Sequence, residues 1–291
     1  MRHSRSRRNA PPRVALWITV AAALLATLVP GHAIPQIYAQ DEPNFPIFDT
    51  HIHYSQDAWA QFSVDDALSI LDQAGIYRAM VSSTPDEGTL MLYQRDPGRI
   101  IPVLRPYRTR ADMTTWTTDP SVLDYLEGRI NGAPYRAFGE LHISGDEVGH
   151  LVPRTLAVWS VSRGLAVHAH TGADGAAALA RAYPDVNILW AHAGMSASAA
   201  TTQQILRDHP NVWVELALRG DVAPGGTLDP AWAATFAAYP SRVMIGTDTW
   251  VPSQWARLPR IMAAVQVWLK QLPRDVAEQI AHRNAERLFG P

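Results

Sequence analysis

Asp49, His51 and His53 alternate at the end of an apolar run, Phe45 to Phe48, that reads as a buried strand. Side chains of a strand point to alternate faces, so the three residues share one face. Two imidazoles so spaced can grip one metal ion, and desolvating them is costly unless they find such a partner. A chance His-x-His in a chain with eleven histidines is the competing explanation. Five further apolar runs also end in charged or imidazole groups: Arg105, then Glu140 and His142, then His168 and His170, then His192, and finally Asp248. One such histidine is usually a satisfied core residue, but this joint placement is the pattern of a metal-dependent active site.

The elements that must position these groups follow from periodicity. Short β-rich runs at 47–52, 78–82, 100–104, 136–142, 165–170, 187–191, 212–216 and 243–246 alternate with longer helical stretches. The first helix has Ser63 as N-cap, carries Val64, Leu68, Leu71 and Ala74 at helical spacing, and ends at Gly75. Another spans 173–183, closed by Pro184, and two more, 259–272 and 274–288, finish the chain. Eight strands each followed by a helix give a single α/β domain of the (β/α)8 TIM-barrel class. An open doubly wound sheet would show a Gly-rich turn after a strand, and none is present. In a barrel the active site lies at the C-terminal strand ends, where the polar groups fall. The connection 109–131 is the most irregular, and its Met113, Trp116 and Tyr125 are expected to form a lid or wall.

Residues 1–39 read as a leader, with the catalytic domain over 40–291. Arg2, Arg5, Arg7, Arg8 and Arg13 precede an apolar stretch, Val14 to Val29, followed by Gly31-His32-Ala33 as a cleavage site, with Ile37-Tyr38-Ala39 as a second option. The apolar stretch is short for a membrane span of roughly 20 residues, although an uncleaved anchor is the alternative. The expectation is an exported, periplasmic or secreted protein that meets the membrane only through its leader. With no cysteine, the fold must be held by its core. Without the leader arginines the chain has 20 basic against 27 acidic residues. That balance disfavours nucleic acid and favours a small-molecule substrate. The oligomeric state is not legible.

Asp49-Thr50-His51-Ile52-His53-Tyr54, His170-Thr171-Gly172, Trp190-Ala191-His192-Ala193-Gly194, Gly246-Thr247-Asp248 and the terminal Asn284-Ala285-Glu286-Arg287-Leu288-Phe289 resemble the amidohydrolase superfamily. The chain is most similar to its amidohydrolase-related branch, which includes aminocarboxymuconate semialdehyde decarboxylase. The ordered set His-x-His, His, His, Asp carries the specificity, and the resemblance spans the chain after the leader. It implies that His51, His53, His170 and Asp248 are metal ligands. It makes His192 a ligand or a group polarising the substrate, and Asp248 also the general base. His168, one pleat deeper than His170, is then a supporting or substrate-side residue, and Asp49 orients the strand-one cluster.

The expected cofactor is a divalent metal, Zn²⁺ before Mn²⁺ or Fe²⁺, with one ion preferred and two open. One subtype of the superfamily that the chain resembles bridges two ions with a carboxylated lysine near strand four, which is ruled out because the only lysine, Lys270, lies in a C-terminal helix. Glu140 is either a bridging ligand between two ions or a supporting partner of Arg105, and His142 fits either shell. Arg105 is a candidate for binding an anionic substrate group, or a structural ion pair with Glu140 or Glu215. Tyr54, with Trp59, Trp250 and Trp255, is expected to line the substrate pocket. The function read from these residues is an exported metal-dependent hydrolase of an amide, ester or lactone. A metal-dependent decarboxylase using the same ligands is the alternative, and a non-catalytic binding barrel the third reading.

Overall fold

The computed structural model describes residues 44–290. The expected leader over 1–39 lies outside the described residues. Eight parallel strands run in chain order: β1 (Ile47–Ile52), β2 (Ile76–Val81), β3 (Ile100–Leu104), β4 (Ala137–His142), β5 (Ala166–His170), β6 (Ile188–Trp190), β7 (Val212–Glu215) and β8 (Val243–Met244). Helices alternate with them, so the molecule is a (β/α)8 TIM barrel. Parallel strands buried on both faces read as continuous apolar runs, which is why they stand out in the sequence.

The barrel closes between the first and last strands. Thr50 N donates to Ile245 O at 2.9 Å, Asp248 N to His51 O at 2.8 Å and His53 N to Thr249 O at 2.8 Å. The expected strand 243–246 keeps ladder geometry for two residues only. Beyond them the chain bends to deliver Asp248, whose φ is +50°.

The barrel floor is plugged by Phe48, Met80, Ile101, Val103, Leu189 and Met244, packed with Ala285 and Phe289 of the last helix. The larger core fills the space between the sheet and the helices. Ser63 caps the helix Val64–Gln73 by accepting from Asp66 N, while the Asp66 carboxylate returns to Ser63 N. Gly75 follows at φ +69°, as the end of that helix requires. The expected last helix 274–288 is interrupted by a π-helical turn, Gln279–Arg283. After the turn the buried Asn284 amide donates to Pro240 O and Val243 O and ties the helix to β8. Among the described residues, no helix is long and apolar enough to cross a membrane.

Candidate metal centre

The end of β1 sets His51 and His53 with their Nε2 atoms 3.1 Å apart. Their other nitrogens are held from outside. His51 Nδ1 lies 2.9 Å from Glu215 Oε1, and His53 Nδ1 meets the carbonyl of Ser82. A carboxylate and a carbonyl only accept, so each Nδ1 carries a proton and each Nε2 turns its lone pair inward. Two facing lone pairs repel unless a proton or a metal ion lies between them.

Asp248 Oδ1 stands 3.4 Å from His51 Nε2 and 3.2 Å from His53 Nε2. Glu140 places Oε1 3.5 Å from the first and Oε2 3.4 Å from the second. Two imidazoles and two carboxylates therefore converge, all buried. Burial pushes the His51 pKa down, but Glu140, Asp248 and Glu215 outweigh it and hold the group well above its ordinary value. The carboxylates respond in kind. Burial raises Glu140 and Glu215, yet His51 above all holds both well below the usual carboxylate range. Such a centre demands positive charge, and mixed imidazole and carboxylate donors fit a divalent ion.

Glu140 faces a second pair as well. Its Oε1 lies 2.7 Å from His170 Nδ1 and 3.3 Å from His192 Nε2, and those two nitrogens are 3.2 Å apart. His142 Nε2 lies 3.4 Å from Glu140 Oε2, with its ring stacked on His170 at 4.3 Å. The five residues expected as ligands are thus brought together as two groups. His51, His53 and Asp248 form one, His170 and His192 the other, and Glu140 lies between them. Desolvation depresses His142, despite Glu140.

His192 sits in a strained loop, with φ +57° followed by Ala193 at +43°. Left-handed backbone costs on the order of 1–3 kcal/mol per non-glycine residue and needs support. The buried Arg219 gives it, donating to the carbonyls of His192 at 3.2 Å, Ala193 at 3.0 Å and Ala197 at 2.7 Å. Glu215 adds to this by accepting from His192 N at 2.7 Å and Ala217 N at 2.6 Å. Its carboxylate joins the His51 ring to the His192 loop, a role not found from sequence. The available signal was an acid closing the run Val212-Trp213-Val214.

The other expected site residues are placed as follows. Asp49 accepts from His51 N at 3.0 Å, Thr247 N at 3.1 Å and the Thr247 hydroxyl at 2.6 Å, which locks β1 to β8. Burial pushes its pKa up to about 7, against the pull of Thr247 and the His51 amide. Arg105 lines the cavity and also pairs with Glu140 at 3.2 Å over the Tyr107 ring. The expected ion pair with Glu140 is therefore present. His168 is buried against Glu215, 3.8 Å away, and desolvation lowers its pKa to about 4. It does not line the cavity, contrary to a substrate-binding role.

Tyr54 also departs from expectation. Its hydroxyl donates to Phe62 O and its ring packs on Trp59 and Trp255, so it serves the wall's core rather than the pocket. In the irregular connection Met113 lines the cavity, whereas Trp116 is buried and donates to His142 O. Tyr125 packs away from the site under Arg129. The cavity over the centre measures about 390 Å³. His53, Glu140, His142, His170 and Asp248 line it together with Arg105, Arg110, Met113, Met195, Leu218 and Trp250.

Residues 128–290, more than half the chain, match the family model described as Amidohydrolase. No curated protein matches the chain by sequence. Solved structures share its fold at low identity. A probable 2-pyrone-4,6-dicarboxylic acid hydrolase from Acinetobacter baumannii, with citric acid bound, is 14% identical with a TM-score of 0.56, covering 84% of this chain and 100% of its own. An amidohydrolase from Burkholderia multivorans with bound zinc is 13% identical, with a TM-score of 0.53 and coverage of 84% and 98%. The 4-oxalomesaconate hydratase of Rhodopseudomonas palustris is 13% identical, with a TM-score of 0.55 and coverage of 84% and 95%.

Proposed function

We propose, from the premise that this chain belongs to the amidohydrolase family, that it hydrolyses an amide, ester or lactone bond of a small molecule. The carrying observation is the convergence of the His51 and His53 lone pairs with Asp248 and Glu140 beneath a small cavity. These four residues would hold a divalent ion, with His170 beside Glu140 available as a further donor. A bound Zn²⁺ would lower the pKa of water toward roughly 7 and polarise a carbonyl. The zinc in the Burkholderia structure supports that choice of ion.

The chain's own groups then divide the work. Asp248 accepts the proton of the attacking water and returns it to the leaving group. Its Oδ1 faces the β1 imidazoles while Oδ2 lies 4.0 Å from His192 Nε2, so the two can act on opposite sides of one reacting centre. His192, fixed through Ala217 O at 3.2 Å, stabilises charge on the attacked oxygen. Arg105 and Arg110 give the cavity a cationic wall for a substrate carboxylate, in keeping with the citrate in the Acinetobacter structure. The apolar run after the N-terminal arginines supports export to the periplasm or medium, with the leader removed after Ala33 or Ala39.

The deciding experiment is elemental analysis of purified protein followed by chelation and reconstitution. One equivalent of metal per chain supports a mononuclear site, and two make Glu140 a bridging ligand. Activity on esters, lactones or amides that vanishes with chelator and returns with zinc supports the hydrolase. Release of CO₂ from a carboxylate substrate instead would replace it with the decarboxylase.

A further inference from the structure

Leu218 lines two cavities. One is the catalytic cavity, and the other, of about 400 Å³, lies between the ends of β7 and β8 and the helix Leu258–Leu269. Leu216, Ile245, Ile261, Val265 and Trp268 wall the second space. Its only charged lining residue, Arg219, is fully engaged by three backbone carbonyls and Asp221. Its Thr247 hydroxyl is taken by Asp49 and Thr249. The groove therefore offers an incoming ligand little besides apolar surface.

Leu218 itself is unusual. It holds φ +60°, a region leucine rarely adopts, and the residue is 51% exposed where the two spaces meet. Met195 and Trp250, on the rim of the catalytic cavity, are 49% and 39% exposed. Thus three of the seven exposed large hydrophobics among the described residues gather at this one mouth. Scattered exposed hydrophobics need no explanation, whereas a cluster at a cleft marks a binding surface. Strain at such a position is retained where the surroundings impose it for a purpose.

We propose that the substrate is amphipathic. Its scissile carbonyl sits over the metal donors, and a linear acyl tail crosses Leu218 into the groove beside Val265 and Trp268. Which end reacts rests on the hydrolase reading, but occupancy of the groove is measurable without turnover. Straight-chain carboxylates from butyrate to decanoate are titrated calorimetrically into the metal-loaded full-length protein. Full burial of each methylene tightens binding about fourfold, or about 200-fold for four, so even with partial burial Kd should fall at least about tenfold from hexanoate to decanoate. In Val265→Trp, which plugs the groove, that gain should shrink to under about threefold. Should this variant misfold, Ile261→Phe makes the same test.

A Kd independent of chain length in the wild type overturns the proposal, as does a gain that persists in the plugged variants. Hydrolysis of p-nitrophenyl acetate combined with a flat series would remove the groove and leave the hydrolase. Chain-length-dependent binding without hydrolysis of p-nitrophenyl decanoate would do the reverse.

Discussion

Glu215 never reaches the cavity, yet it fixes the His51 ring, the His192 loop and, through Ala217 N, its own turn. Partners of metal-bound histidines typically alter metal affinity 10–100-fold when replaced. Glu215→Gln is expected to weaken zinc binding within that range while the fold survives, as read by competition with a chelating dye. Unchanged affinity would mean that the imidazole is oriented by packing alone. Asp248→Asn should keep the barrel and most of its metal but lower kcat at least about 100-fold, the usual contribution of a positioned base. Near wild-type turnover in that variant would remove Asp248 as the base. The ligand-type residues were legible because each ends an apolar strand. The pairing of Arg105 was legible only as a choice between Glu140 and Glu215, and the reach of Glu215 to His51 was not legible, because it joins residues 164 positions apart. Nor could spacing show that Tyr54 turns its hydroxyl back to Phe62.

The strand ends act as a unit because small residues let them approach. A Cβ added at Gly246 would overlap the Glu215 carboxylate and lie 3.1 Å from His51 Cβ. Gly246→Ala should therefore displace Glu215 and weaken zinc binding as strongly as Glu215→Gln does, with wild-type affinity counting against close packing as the cause. The cavity wall 105–120 depends on another charged element. Arg108 hydrogen bonds hold the Asp112 carboxyl below its ordinary value, against desolvation. A carboxyl depressed in the fold stabilises fully above its unfolded pKa of about 4 and loses that contribution as pH falls through the lower, folded value. Amide exchange over this segment, corrected for intrinsic rates, should accelerate on going from pH 5 to pH 3. In Asp112→Asn it should be fast at both pH values, and slow exchange there would assign the wall's order to other contacts. Strand and helix positions were readable from periodicity. The brevity of β8 was not, since the bend that delivers Asp248 depends on contacts with β1.

At the scale of the molecule, folding gathers six imidazoles and four carboxylates at one end of the barrel, all buried except the half-buried His142 and His170. A ligand that binds only the native state stabilises it by about 2.7 kcal/mol at a hundredfold excess over Kd. For a domain of this size that raises Tm by about 5–10 °C. Chelated protein should melt lower by that amount and recover on addition of zinc, and a Tm indifferent to metal would place the ion outside the folded centre. The barrel was legible as a whole because its eight apolar runs alternate with helices in strict order. The groove beside Leu218 was invisible, because it arises where a loop and a helix fail to meet.

The closing seam has a consequence in time. Donors from the beginning of the barrel, His51 and His53, meet Asp248 only when β8 has docked against β1. A chain emerging from its N-terminus can hold no complete ion site until nearly all of it has been delivered. An ion held there would join positions about 200 residues apart, and closing so long a loop removes much of the unfolded chain's freedom. A site so built would take up its ion only after the segment following β8 has docked on β1.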